Sequence, residues 1–392
     1  MLSKKLNIIT PSFTIGISSK VNELKSRGIE VVNLSIGEPD FNVPSKAKDE
    51  IIKAVNNNKT KYDMVSGIEE LKKAIVEKLK SENNTYYDLD EIVVSNGAKH
   101  SITNALIALL DPQDEVLIPK PYWVSYPEMI KLVGAIPIFL DTNKNNNFKI
   151  TADQIQKNIT SKTKMIFITN PSNPTGAIYS EQELKEIVDV CLKNNIYILA
   201  DEIYEKICYE NTFTSIASLS SEAKNITITV NGFSKSFAMT GLRLGYSASN
   251  KIISKAISTV QGHLVSHPST ISQWAGYGAL KYCKEDIKNM VEIYKEKRDL
   301  AISMLSEIRD LDFIYPQGAF YMFIDISKLK YKIKHKDSFS IDFCNKLLEN
   351  NKVAVVPGIA FGIDDFIRIS YACSNENIIT GIKGIRDFVE SL

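Results

Sequence analysis

Residues 225–246 read "NITITVNGFSKSFAMTGLRLGY". The β-branched run "NITITV" has the texture of a strand, and the Asn-Gly that follows marks its end. Beyond it stands one lysine, Lys235, among Ser, Gly and Ala, with a lone arginine, Arg243, two helical turns further on. An amine with a pKa of about 10.4 is mostly protonated and a poor nucleophile. Burial beside a cation or in an apolar pocket lowers that value and opens imine chemistry. Taken alone, such a lysine is most often a solvated surface charge, so the rest of the chain has to decide.

Outward from this stretch the pattern repeats. From about residue 46 to 250, short apolar runs alternate with amphipathic segments: "EIVVSNG" (91–97), "DEVLIPK" (114–120), "KMIFITN" (164–170), "IYILADE" (196–202) and "RLGYSAS" (243–249). Continuous apolar strands separated by helical patterns predict a mainly parallel α/β sheet covered on both faces. Gly134 and Asn194-Asn195 stand where helix C-terminal caps are expected. From about residue 290 the texture changes. "VEIYKEKRDLAISMLSEI" (291–308) predicts a long helix, and "GAFYMFIDI", "VAVVPG" and "FIRISYA" predict strands of another sheet. The expected organisation is an N-terminal arm with part of a small domain (1–45), a large domain (46–290) and a smaller α+β domain (291–392).

Composition narrows the function classes. The chain has 392 residues, and its 47 basic and 46 acidic residues leave a formal charge of +1. That balance lacks the basic surplus that phosphate-backbone binding uses, so nucleic acid is not an expected partner. No apolar run approaches the ~20 residues of a membrane helix. The N-terminal "MLSKKLNIIT" lacks a signal peptide's apolar core, and the five cysteines are scattered with no C-x-x-C pair. A cytoplasmic protein with no metal site is expected. The phosphate-binding loops of nucleotide and dinucleotide enzymes are also missing from the sequence.

In an α/β sheet of this kind, ligands gather at the carboxyl ends of the strands. The residues just past each apolar run are Gly97-Ala98-Lys99, the loop "NPSNPTG" (170–176), Asp201 and Lys235. Gly97 to Lys99 open a helix whose N-terminal N–H groups and dipole favour an anion. Asn173 can donate to a ligand oxygen. Asp201 reads either as an N-cap for "EIYEKICY" or as a buried carboxylate, with Tyr204 one turn on. Arg368, inside the apolar run "FIRISYA", needs a partner if buried, and its planar fork suits a carboxylate. Each has a bland reading as a turn, a cap or a salt bridge. Together, an anion cradle, a carboxylate, a phenol, an amine and a carboxylate fork match the functional groups of pyridoxal 5′-phosphate and an amino acid.

The markers "GEPDF" (37–41), "KYDMVSG" (61–67), "PYWVSYPEM" (121–129), "NPSNPTG", "DEIYE" (201–205), "SKSFAMTGLRLGY" and "VVPG" followed by "AFG" extend over nearly the whole chain. They resemble the class I aminotransferases of fold type I, most closely the bacterial aspartate aminotransferase subgroup. The resemblance implies a mainly parallel seven-stranded sheet sandwiched by helices, plus a smaller α+β domain. It implies pyridoxal 5′-phosphate as cofactor, a ping-pong exchange between an amino acid and a 2-oxo acid, and a homodimer with shared active sites. By that resemblance Lys235 carries the cofactor and moves the substrate proton, and Asp201 partners the pyridine nitrogen. Tyr204 and Asn173 bond the ring oxygen, and Trp123 stacks on the ring. Gly97, Ala98, Lys99, Ser234 and Arg243 form the phosphate site, to which Tyr62 contributes from the neighbouring subunit. Arg368 grips the substrate α-carboxylate near Gly37, with Trp123 and Asn173 beside it.

Two departures bear on specificity. Many relatives have a phosphate-binding serine three residues before the lysine, where this chain has Gly232. The loop "QGHLVSHPST" (261–270) holds His263 and His267 where other polar residues are usual, and no arginine to clamp a second carboxylate. In the closest subgroup that clamp resembles Lys99 with help from Ser12 and Thr14, so L-aspartate with 2-oxoglutarate is the expected pair. An aromatic or prephenate-type aminotransferase and a β-C–S lyase of the same fold are the alternatives.

Overall fold

The computed structural model describes residues 3–11, 13–210, 213–335 and 337–392. After a first helix, Phe13–Ser26, comes a two-residue strand, β1 (Val32–Asn33). One sheet is then built from β2 (Ile92–Ser95), β3 (Glu115–Pro119), β4 (Ile136–Leu140), β5 (Thr163–Thr169), β6 (Tyr197–Asp201), β7 (Thr227–Gly232) and β8 (Gly245–Ala248). These seven strands stand in the order β2-β8-β7-β6-β5-β3-β4, and only β8 runs against its neighbours. Both faces are covered. Met165 and Phe167 of β5 and Leu199 of β6 enter one buried cluster, while Ile166, Ile168, Ile198 and Ala200 enter the opposite one. A strand buried on both faces has no polar side, which is why these segments read as continuous apolar runs.

The chain then passes through the helix Lys284–Ser306 into β9 (Asp312–Ile314), β10 (Tyr321–Asp325), β11 (Val353–Ala354), β12 (Val356–Pro357) and β13 (Phe366–Ser370). The antiparallel order is β12-β13-β10-β9, while β11 leaves that sheet to pair in parallel with β1. Pairing of β11 with β1 ties the N-terminal segment to residues late in the chain. Leu34 accordingly sits in one buried cluster with Phe343, Ile369 and Phe388.

Several local expectations changed. The run "VAVVPG" is two short strands in different sheets rather than one. β4 is not legible as a strand because Pro137 interrupts a short run; it is an edge strand, where proline costs least. Residues 203–206 form turns instead of a helix, and so does most of 233–243. Asp201 is therefore not a helix cap, although its Oδ1 accepts from the Ile203 N–H at 3.3 Å. The two caps formed as expected: Gly134 (φ +91°) follows the helix Tyr126–Leu132, and Asn195 (φ +55°) follows Glu181–Lys193. Among the described residues no helix is long and apolar enough to cross a membrane.

The turn "DEIYE" is held from beneath by buried charge. Lys78 Nζ, from the helix Glu69–Asn83, pairs with Glu205 Oε1, and Asn83 Nδ2 donates to Glu205 Oε2 at 2.6 Å. Burial works against the Glu205 carboxylate, yet Lys78 and Lys206 hold its pKa below the usual range. Glu202 accepts from Ser215 Oγ at 2.9 Å and the Ile216 N–H at 3.1 Å. Removing one member of a buried pair strands the other charge, at a cost of about 3–5 kcal/mol. Lys78→Met should lower the urea-unfolding midpoint accordingly, and Lys78→Met with Glu205→Leu should recover much of the loss. A change below about 1 kcal/mol in the single variant would show that the pair does not anchor this turn.

Candidate active site

Parallel strands place their carboxyl ends on one edge, so the residues after β2, β5, β6 and β7 meet there. They line a cavity of about 680 Å³ together with β10, β13 and the N-terminal segment. Gly37, Ala98, Lys99, Trp123, Asn173, Asp201, Tyr204, Ser234, Lys235, Arg243 and Arg368 all face it. Gly97 does not line it, but stands against Arg243, which does. Tyr62 is outside the cavity and 91% exposed. Ser12 lies outside the described residues, and so does the side chain of Thr14; the first helix reaches the cavity through Ser18, Ser19 and Asn22 instead.

Lys235 Nζ donates to Gly37 O at 2.5 Å. Surrounding protein pushes its pKa down to about 8, chiefly by burial and then through the Arg368 and Arg243 guanidiniums; Glu38 and Asp201 oppose the shift. An amine with this pKa is far more often unprotonated near neutrality than a surface lysine. Asp201, buried at the end of β6, accepts from Tyr126 Oη at 2.6 Å. Burial raises its carboxyl to about 6, and the Tyr126 hydrogen bond limits the rise.

Arg368 is the most constrained group. It is buried on β13, with Nη1 donating to Asn173 Oδ1 and Nη2 to Ser35 O, each at 3.0 Å. Its guanidinium carbon lies 4.2 Å from the Tyr321 ring centre. Nε has no hydrogen-bond partner, and among the described residues no carboxylate pairs with Arg368. The structural salt bridge that would explain a buried arginine is not there. Lys99, held 4.9 Å over the Trp123 ring, is a second cation on the cavity without a carboxylate partner among the described residues.

An anion cradle is built at the start of the helix Ala98–Leu109, whose first N–H groups have no intrahelical acceptor. Gly97 there has φ +84°, and a Cβ on it would lie 2.6 Å from Arg243 Nη2. Only glycine lets that guanidinium close over the helix terminus. Gly232 takes no part. It is buried in β7, where a Cβ would meet Leu244 O at 3.0 Å and Gly245 Cα at 3.1 Å, so a larger residue there needs the neighbouring backbone to give by a few tenths of an ångström. Ser234 supplies the nearby hydroxyl instead.

Sequence reasoning missed Tyr126 and Tyr321. Tyr126 sits within the quoted "PYWVSYPEM", but that its phenol reaches Asp201 follows from strand order alone. Tyr321 lies in the apolar run of β10 and shares a 2.8 Å hydrogen bond with Tyr204 Oη. A buried tyrosine needs a partner, and this signal was available in "AFYMF". His263 and His267 have the four-residue spacing of a helical ligand pair, but the helix Lys251–Val265 ends between them. Among the described residues no group of three His, Cys, Asp or Glu side chains is placed to hold a metal.

A profile of the family described as Aminotransferase class I and II matches residues 29–385. This chain belongs to that family. It is 41% identical to a probable aspartate/prephenate aminotransferase of Aquifex aeolicus, covering 100% of this chain and 99% of the relative. It is also 41% identical to an aspartate aminotransferase of Bacillus subtilis, covering 99% of each. Among solved structures, the aspartate aminotransferase of Rhizobium meliloti superposes with a TM-score of 0.95 at 37% identity over 100% of this chain and 99% of that one. That of Thermus thermophilus with maleate gives 0.93 at 35% identity over 99% of each. The expected fold-type I architecture is thereby shown.

In the cofactor-free aminotransferase, the rate of amine-selective acylation at Lys235, read by peptide mapping against pH, should titrate with a midpoint near the value of about 8 given above. Arg368→Met removes a cation that disfavours the ammonium, so the midpoint should rise. A midpoint in the range of an ordinary lysine in the unmodified protein would overturn this electrostatic account.

Proposed function

We propose that this aminotransferase uses pyridoxal 5′-phosphate to exchange amino groups between L-aspartate and 2-oxoglutarate. The observation that carries the reading is Arg368: a buried, carboxylate-free guanidinium facing the same cavity as a lysine with a lowered pKa. The cavity fits the cofactor on its own chemistry. The Gly97 cradle leaves N–H groups and Arg243 for a phosphate, Asp201 offers a carboxylate, and Tyr204 and Asn173 offer polar atoms between them.

When bound, pyridoxal 5′-phosphate supplies an aldehyde that takes up amino groups and a ring that accepts the electron pair left by a departing Cα proton. Ala98, Lys99, Ser234 and Arg243 would hold its phosphate, Trp123 its ring face, and Asp201 the proton on its ring nitrogen. Tyr126 supports that role, because its hydrogen bond favours the ionised Asp201 carboxylate. Arg368 binds and orients the amino-acid α-carboxylate, with Asn173 and the tyrosine ring fixing the plane of its fork. Lys235 Nζ, lowered toward neutrality, takes the proton from the amino-acid Cα and later returns it as a general acid.

Lys99 supports a dicarboxylate substrate as a further cation on the cavity without a carboxylate partner among the described residues, with Ser12 and Thr14 proposed beside it. The Thermus relative's maleate is itself a dicarboxylate. The alternative of a prephenate-type substrate is favoured by the name of the Aquifex relative. Exposure of Tyr62, away from its own cavity, fits a homodimer in which it serves the neighbour's site. We further propose that residues 46–290 form the cofactor-binding domain and that 1–45 and 291–392 form the arm and smaller domain. The helix Lys284–Ser306 then passes from one domain to the other.

The deciding measurement is a half-reaction in which single amino acids are mixed with the loaded enzyme and the cofactor absorbance is followed. Aspartate and glutamate should convert it, and Lys235→Ala should abolish conversion. If tyrosine or cystathionine succeeds where both dicarboxylates fail, the substrate assignment is wrong. Arg368→Lys should raise the KM for aspartate roughly 10- to 100-fold, the loss of a charge-assisted hydrogen bond, with cofactor affinity unchanged.

A further inference from the structure

His267 belongs to no part of the cavity, yet it is held in one tautomer by its neighbours. Its Nδ1 lies 2.8 Å from Pro268 O, which can only accept, so Nδ1 carries the proton. Its Nε2 is then the acceptor for the Asp63 backbone N–H at 3.2 Å. The Tyr62 ring stands edge-on to the imidazole, with centres 5.7 Å apart and planes at 89°. The backbone is bent to make this grip. Ser266 has φ +63° and ψ −75°, and the His267 N–H donates to Val265 O at 2.9 Å. That is the rare, strained form of γ-turn, which persists only where surrounding contacts over-determine it.

Those contacts are present on both sides. Thr270 Oγ1 donates to Lys59 O at 2.7 Å, Gln261 Nε2 to Val65 O at 2.7 Å, and Gln273 Oε1 accepts the Ile68 N–H at 2.8 Å. Gln273 Nε2 also fixes Pro268 O at 2.8 Å. The segment 59–68 is thus clasped along its length to residues 261–273. Between Lys59 and Val65, the described hydrogen bond from this clasp is the one made by His267, and it falls on the residue next to Tyr62.

We propose that His267 is the positioning residue for Tyr62. Its neutral imidazole grips the Asp63 amide and braces the Tyr62 ring, so that the phenol projects at a set angle from this chain toward the cofactor phosphate bound by a second copy. The inference rests on the reading of Tyr62 as a phosphate ligand across a homodimer. It gives the histidine in this loop a task that concerns cofactor retention rather than substrate choice.

The test is titration of cofactor-free, full-length protein with pyridoxal 5′-phosphate, followed by absorbance, with pyridoxal lacking the phosphate as control. Tyr62→Phe should weaken pyridoxal 5′-phosphate binding roughly tenfold, the scale of one hydrogen bond to a charged group. His267→Phe keeps a ring but removes the acceptor, and should weaken binding by a similar factor. The double variant should be no weaker than either single one, and His267→Gln, whose side-chain oxygen can accept from the Asp63 N–H, should restore most of the affinity. Pyridoxal should bind all variants alike. If Tyr62→Phe weakens binding and His267→Phe does not, or if the two losses multiply, the positioning role is overturned while the shared-site reading stands. If Tyr62→Phe itself has no effect, the Tyr62 reading fails and the proposal falls with it. Faster amide exchange at Asp63 in His267→Phe supports the grip independently, and unchanged exchange refutes it.

Discussion

The amine of Lys235 is placed among like charges. Burial disfavours its ammonium form, and Arg368 and Arg243, which line the same cavity, add to that effect. Holding two guanidiniums and an amine together is costly unless something anionic balances them. Inside the cavity the described carboxylates are Glu38 and Asp201, and neither pairs with Arg368. A phosphate and an amino-acid carboxylate are the groups that would complete the balance.

Much of the architecture keeps those cations apart and aimed. β7 delivers Lys235, the positive-φ glycine at the start of the Ala98–Leu109 helix leaves Arg243 its place, and the antiparallel sheet delivers Arg368. Hydrogen bonds join the contributions across sheets. Asn173, from the large sheet, accepts from Arg368, and Tyr204 shares its hydroxyl contact with Tyr321 of β10. A change in how the two sheets sit would therefore alter Arg368 and Tyr204 together. Beneath them the Lys78–Glu205 pair and the Glu202 contacts hold the turn that carries Tyr204.

The residues legible beforehand share one property: each stands directly after an apolar run, so strand recognition alone located it. Lys235, Asp201, Asn173 and the Gly97 turn are of this kind. Tyr126 and Tyr321 were not legible as site residues because their partners are remote in sequence, and their own surroundings read as ordinary aromatic packing. Gly232 shows the opposite error. A position matched by motif reads as a gap in an anion site, whereas the glycine is packed tightly against the Leu244 and Gly245 backbone. Proline hid β4, and turn geometry replaced the helix that the Asp201 cap reading required.

The sequence by itself determined the layered α/β class, the ends of the strands and the chemical types gathered at them, because periodicity and residue chemistry are local properties. It also determined that Lys235 stands in small-residue surroundings at the end of a strand. Whether that lysine is a solvated surface charge or a half-buried amine with a lowered pKa was decided by tertiary structure, since a pKa depends on solvent exclusion and on charges from distant segments. The same holds for Arg368. Its sequence neighbours foretold burial, but only its contacts with the Asn173 loop and the N-terminal segment show that, among the described residues, no carboxylate was folded in with it.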